Sequence, residues 1–209
     1  MKKVYVAIIA MVVMMMASQP AFAQFRWGAT AGATLTNLNF KQDLFTVDKL
    51  VGASAGVKGE MMFPGIGFGV EFGLLYEMRG AKLHMGERLI WSSQGYGTET
   101  TRLHYIDIPF HLKFKWTRMN GIEDYVAPFV QGGPTFNILA GHSKNDAIQF
   151  ANGGLGLTCG GGVELFKCWQ VGAFYTWGMT YALKTRQLTD FSARNSTWDF
   201  RITYFFNRD

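Results

Sequence analysis

From residue 66 to 79 the chain alternates, with Phe68, Val70, Phe72, Leu74, Tyr76 and Met78 on one face and Gly69, Glu71, Gly73, Leu75, Glu77 and Arg79 on the other. A repeat of two is the signature of an extended strand whose faces meet different surroundings. It recurs in 104–116, where Ile106, Ile108, Phe110, Leu112, Phe114 and Trp116 oppose Asp107, His111, Lys113 and Lys115. The last strand sets Trp198, Phe200, Ile202, Tyr204 and Phe206 against Asp199, Arg201 and Thr203. Segments 25–37, 50–63, 125–139, 154–166 and 169–179 bring the number of strands to eight, and no stretch of comparable length has helical periodicity. The parity of 125–139 stays open, because Pro128, Gly132, Gly133 and Pro134 suggest a bulge or bend. Pro109, unable to donate to a ladder, is expected to mark another bulge.

The connections alternate strictly between long ones of twelve residues or more and short ones of eight or fewer. A soluble sandwich has no reason to do this. A membrane barrel has short turns on one side, longer loops on the other and an even strand number. The polar faces of seven strands carry six basic groups, Arg26, Lys58, Arg79, Lys113, Lys115 and Arg201, and six acidic ones, Glu60, Glu71, Glu77, Asp107, Glu164 and Asp199. A charged interior beneath an apolar exterior fits a closed sheet whose outer solvent is lipid. Aromatic residues gather near strand ends, with Phe25, Trp27, Trp116, Tyr125, Trp169 and Phe206 toward one rim and Tyr76, Trp177 and Trp198 toward the other. Glycines on the polar faces, such as Gly32, Gly73, Gly160 and Gly172, are expected to leave room for long charged side chains. The fold expected is all-β: an eight-stranded antiparallel up-and-down transmembrane β-barrel.

The N-terminus has its own signature. Lys2 and Lys3 precede an apolar run from Val4 to Met16, and Ala21-Phe22-Ala23 precedes Gln24. A basic start, an apolar stretch too short to span a bilayer and an A-x-A site read as a cleaved secretory signal peptide over 1–23, leaving a barrel domain over 24–209. Loss of the two lysines takes the net charge from +5 to +3. Export and barrel together place the chain in a Gram-negative outer membrane. Cys159 and Cys168 are nine residues apart near a strand end, too far to bridge if extended, so two free thiols are expected.

The strand order resembles that of the PorT-like outer-membrane β-barrel family of Bacteroidetes over nearly all of residues 24–209. Tyr105-Ile106-Asp107-Ile108-Pro109-Phe110-His111-Leu112-Lys113-Phe114 is similar to its strand of Tyr, Leu or Ile, Glu, Ile or Val, Pro, three variable positions, Lys and an aromatic. Asp107 and His111 depart from that pattern. Ala127 to Pro134, the glycine-alternating Gly156 to Glu164 and the opening Gly28 to Asn37 also fit the family. The resemblance implies a barrel, and an accessory role in type IX-like protein secretion as one alternative.

Eight strands enclose a lumen only wide enough for side chains to fill, so the twelve inward charges are expected to form a salt-bridge plug. A small gated pore tuned by Arg79, Lys113 and Lys115 is the conducting alternative. An enzyme that modifies lipid A is a further one, since His84, His104, His111, His142, Ser92, Ser93, Ser143 and Glu87 supply candidate bases and nucleophiles. Such residues are common in loops without catalysis, and the expectation is no enzymatic activity, no cofactor and no metal, there being no ligand-spaced Cys or His pair. The last long loop carries Lys184, Arg186 and Arg194 against Asp190, a candidate contact for lipopolysaccharide phosphates. Partners expected are outer-membrane lipid and lipopolysaccharide, the barrel-assembly machinery during insertion and, in the secretion alternative, secretion components. Nucleic acid is not expected, and the barrel is expected to be a monomer with a structural or surface-interaction role exercised through its external loops.

Overall fold

The computed structural model describes residues 24–40, 46–63, 65, 67–84, 97–143, 148–181, 183–185 and 192–206. The expected signal segment, 1–23, lies outside them. Among the described residues ten strands follow in chain order: β1 (Gln24–Phe40), β2 (Val47–Met62), β3 (Phe68–His84), β4 (Thr98–Lys115), β5 (Val126–His142), β6 (Ile148–Phe150), β7 (Gly153–Leu165), β8 (Trp169–Gly178), β9 (Leu183–Thr185) and β10 (Ser192–Phe205). The eight long ones are ordered β1-β2-β3-β4-β5-β7-β8-β10, each antiparallel to its neighbours. Pairing of β1 with β10, from Gly28↔Phe205 to Phe40↔Ala193, closes the sheet and leaves no open edge for lipid to desolvate. The short β6 and β9 pair with each other, and β9 with the start of β10, so two of the long connections add strands that alternation did not reveal.

The prolines do not bulge their strands. Pro109 pairs with Thr135 in the same register that joins Leu112 to Gly132. Without an N–H on Pro109 or Pro134, pairing is interrupted between those points and then resumes unshifted. The β4–β5 irregularity lies higher, between His104 and Tyr105, where Leu139 and Gly141 flank an extra residue. In β5 the odd positions Ala127, Phe129, Gln131, Thr135 and Asn137 are buried inward, which fixes the parity that the sequence left open. At the turn end, Phe166 and Lys167 both adopt left-handed φ, of 52° and 59°, the conformation that matches hairpin twist between β7 and β8. The two cysteines are free: Cys159 is exposed on β7 and Cys168 is buried in this turn.

Most strands run past the ends that alternation gives them. β3 continues to His84 and β4 starts at Thr98, and here the faces exchange character. Across the middle of the barrel the outward side chains are apolar and the inward ones are mainly charged or hydrogen-bonding. Toward the loop end the inward positions become mainly aliphatic, with Leu38, Ala81, Leu83, Leu103 and Ala193 beside a single Thr101, none more than 1% exposed. Their outward neighbours there are Asn39, Lys82, Thr100, Arg102 and Arg194, all exposed. A sheet in lipid turns its apolar face out, whereas the same sheet in water turns it in. The switch falls after Met78 on β3 and before Ile106 on β4. Ten residues at about 3.3 Å, tilted by roughly 40°, span about 25 Å, so Phe68–Met78 and Ile106–Trp116 match the height of an outer-membrane apolar band. The nine girdle aromatics named from the sequence are all exposed outward.

Candidate functional site

All twelve charged residues read from the polar faces lie inside the barrel, each buried. They form two groups. Nearer the turn end, Arg26 pairs with Glu60 on β2 and with Glu164 across the lumen at 2.6 Å. Lys113 pairs with Glu60 and, at 2.9 Å, with Glu71. Lys115 reaches Glu164 at 3.1 Å and Glu60 at 3.3 Å, and Lys58 reaches Glu71 at 3.0 Å. Each carboxylate is therefore shared by at least two cations from different strands. Nearer the loop end, Arg79 binds Glu77 at 2.7 Å and also binds Asp107. Arg201 pairs with Asp199 at 2.8 Å. The lower group has four cations and three carboxylates, the upper group two and three, so a neutral lumen is assembled from halves of opposite sign.

Neutral groups that the charge pattern did not reveal complete the network. Gln170 donates to Glu60 at 2.9 Å and Glu164 at 2.7 Å, and accepts from Lys113 at 2.9 Å. Gln131 donates to Glu71 at 2.8 Å and lies 3.1 Å from His111. Asn137 donates to Asp107 at 2.7 Å, and Ser54 to Asp199 at 3.0 Å. Between the groups runs a chain of hydroxyls, from His111 through Thr135 and Thr158 to Thr176. Gln170 was visible to the repeat of two, sitting between Trp169 and Val171, but a count of charges passes over it. Gln131 was hidden by the open parity of its strand.

Inward aromatic rings are the larger surprise. Arg26 lies 4.6 Å above the Phe205 ring, Lys113 4.2 Å above Phe129, Arg201 4.5 Å above Phe174 and Arg79 5.2 Å above Tyr105. Ring faces thus stabilise cations that lipid and burial strip of water. The glycines serve the rings as well as the charges. A Cβ on Gly160 or Gly172 would stand 2.7 or 2.8 Å from Phe174, whereas at Gly32 it would meet Arg201 and Ser54. Only part of the space expected for charged side chains is used by them.

The lumen is open to different degrees at its two ends. A cavity of about 320 Å³ opens at the turn end between Arg26, Lys115, Glu164 and Lys167. At its margin the backbone N–H groups of Glu123 itself, Met119 and Gly121 hold the Glu123 carboxyl below the ordinary carboxylate range. Toward the loop end the space between Arg79, Tyr105, Asn137 and Asn195 is about 20 Å³, room for about one water. The buried Asn195 Oδ1 borders it without a protein partner. Above lies the apolar collar of Leu38, Leu83 and Leu103. Ion pairs and rings occupy the lumen between these two spaces, and the collar lies above them.

Outside the lumen the candidates separate. The Arg194 guanidinium lies 5.0 Å above the Tyr181 ring, Lys184 belongs to β9, and Arg186 lies outside the described residues. Among the histidines, His104 Nδ1 is 2.6 Å from the Tyr76 hydroxyl on the outward face, and His142 Nδ1 is 3.0 Å from the Ser143 carbonyl. His84 stands between Asp48, 3.0 Å from Nε2, and Thr98, 3.1 Å from Nδ1. That trio contains a carboxylate, a base and a hydroxyl, but the Asp48 side chain is 57% exposed, so solvent screens the pair. Ser92, Ser93 and Glu87 lie outside the described residues. Among the described residues no cluster of three His, Cys, Asp or Glu side chains could hold a metal ion.

No curated protein matches the chain. Among solved structures it is similar to OprG of Pseudomonas aeruginosa, at 10% identity over 88% of this chain and 94% of that one, with a TM-score of 0.49. It is also similar to Neisserial surface protein A, at 13% identity over 85% and 96% and a TM-score of 0.46. A third similar structure is the outer membrane enzyme PagL, at 9% identity over 83% and 98% and a TM-score of 0.41. A family model described as outer membrane protein beta-barrel domain matches residues 17–184. With its closed antiparallel barrel and inverted faces, the chain belongs to that outer-membrane β-barrel family.

Proposed function

We propose that this protein is a non-conducting, non-enzymatic barrel that serves envelope structure or surface interaction through its loop end. The observation that carries this reading is the filled lumen, in which Glu60, Glu71 and Glu164 are each shared between cations and an apolar collar lies above them. Opening such a plug would break several buried pairs at once and leave unpaired charges in a medium that solvates them poorly. We further infer a PorT-like lineage from the Tyr105–Phe114 and Ala127–Pro134 segments, removal of residues 1–23 on export, insertion by the barrel-assembly machinery and a monomeric state. Surface interaction includes lipopolysaccharide contact by Lys184, Arg186 and Arg194. A deletion strain assayed for cargo secretion, envelope permeability and lipid A mass tests the reading. It predicts altered permeability with secretion and lipid A unchanged. Loss of cargo export would favour the secretion accessory, and a lipid A mass change would favour an enzyme built around a trio such as Asp48, His84 and Thr98.

A further inference from the structure

The exchange of faces along β3 and β4 locates the upper membrane boundary on the molecule and shows what stands on it. The outward apolar run ends at Met78 on β3 and Ile106 on β4, which are offset by one register step: Tyr76 pairs with Ile106, and Met78 with His104. The next pairs are Gly80↔Arg102 and Lys82↔Thr100. Lys82 and Arg102 therefore stand on one outward face as diagonal neighbours, within reach of a common group. Both are exposed, and each lies four residues beyond the apolar run, about 10 Å along the barrel axis. Long basic side chains at that height bend back to the headgroup layer. His104 adds a ring nitrogen at the boundary itself, and Thr100 a hydroxyl. Among the described residues the acidic group facing this patch is Asp48, opposite Lys82 in β2, whose carboxylate is engaged by His84.

The opposite rim differs. Arg118 and Lys167 there are matched by Glu123 and Asp124, and Lys167 pairs with Asp124 at 2.8 Å. Among the residues described on the outward loop-end face, Lys82, Arg102 and Arg194 outnumber the one carboxylate, Asp48, so the boundary with a surplus of basic groups is the loop-end one, facing the outer leaflet. Outer-leaflet glycolipid presents phosphates at that depth, so charge and height agree on one occupant.

We propose that the outward face of β3 and β4 is a lipid A phosphate site, with Lys82 and Arg102 as its paired cations and Thr100 and His104 as flanking hydrogen-bonding groups. This deepens the surface-interaction reading, on which it rests, and moves the principal lipid contact from the last loop to the β3–β4 wall. A rigid strand pair holds the two cations at a fixed spacing and depth, which a loop does not.

The test titrates the folded barrel, purified in detergent, with lipid A carrying two phosphates or none, and counts bound lipid by native mass spectrometry. Wild type should bind the phosphorylated form preferentially, and less so as salt rises. The double variant Lys82→Gln with Arg102→Gln should lose about thirtyfold, from roughly fivefold per basic side chain at an anionic lipid surface. Asp48→Asn, which removes the opposing carboxylate without touching either cation, should tighten binding severalfold and serves should the double variant fail to fold. Phosphate-dependent binding that survives the double variant but is lost on neutralising Lys184, Arg186 and Arg194 would overturn the proposal and leave the surface-interaction reading standing. Equal binding of both lipid A forms by wild type would overturn the proposal together with the lipopolysaccharide contact of the last loop. An Asp48→Asn variant that binds no tighter would also count against the site.

Discussion

Two stretches of the same strands, residues 68–78 and 80–84 of β3, obey opposite rules. In the first, Glu71 and Glu77 point inward and Phe72 and Leu74 outward. In the second, Ala81 and Leu83 point inward and Lys82 outward. β4 repeats the change between Asp107 and Leu103, and β10 between Asp199 and Ala193. Within β3 and β4 the inward and outward parity is continuous through the switch, although Gly80 takes a φ of 155° and the pairing with β2 and β5 shifts register beside it, so a one-residue slip of the strand is not what exchanges the faces. The surrounding medium does: lipid makes the apolar face the outer one, and water makes it the inner one. The lower part of the barrel is held together by shared ions, and the collar above it by the ordinary burial of aliphatic side chains.

The comparison can be broken most severely from inside the lipid band. Lys113→Met leaves Glu60 and Glu71 short of a partner, and should cost about 3–5 kcal/mol in urea unfolding from lipid vesicles. A cost under about 1 kcal/mol would mean that the remaining cations compensate. On the outer face, Leu112→Arg places a charge in the lipid band and should cost about 2–4 kcal/mol by the same measurement. In the collar, Leu83→Ala removes apolar packing at a fully buried leucine and should cost about 2 kcal/mol. The smallest effect is expected at Thr100→Arg, an outward collar position, at no more than about 1 kcal/mol. Equal costs for Leu112→Arg and Thr100→Arg would remove the membrane boundary from between them.

Much of the barrel is legible in the sequence because two solvents write the alternation so strongly. The twelve inward charges could be named from parity alone. The collar was not legible: a reader looking for apolar-out alternation stops at Arg79 and takes Lys82 for loop, since the polarity has inverted while the parity has not. Phe129, Phe174, Phe205 and Tyr105 were missed as lumen residues because a ring on a polar face contradicts the simple pattern until its cation is seen above it. The β5 parity was obscured by Pro128 and Pro134, which interrupt hydrogen bonds without adding a residue. Three-residue strands such as β6 and β9 leave too few alternations to detect.

The claim that the lumen is a plug is tested most directly by reconstituting the folded barrel in planar bilayers and recording current across a range of voltages. The account predicts silence from wild type and stepwise conductance only when the ion network is dismantled, as in a combined Lys113→Met and Arg26→Met variant. Reproducible channels from wild type, abolished by neutralising Lys113, would contradict it and establish a pore.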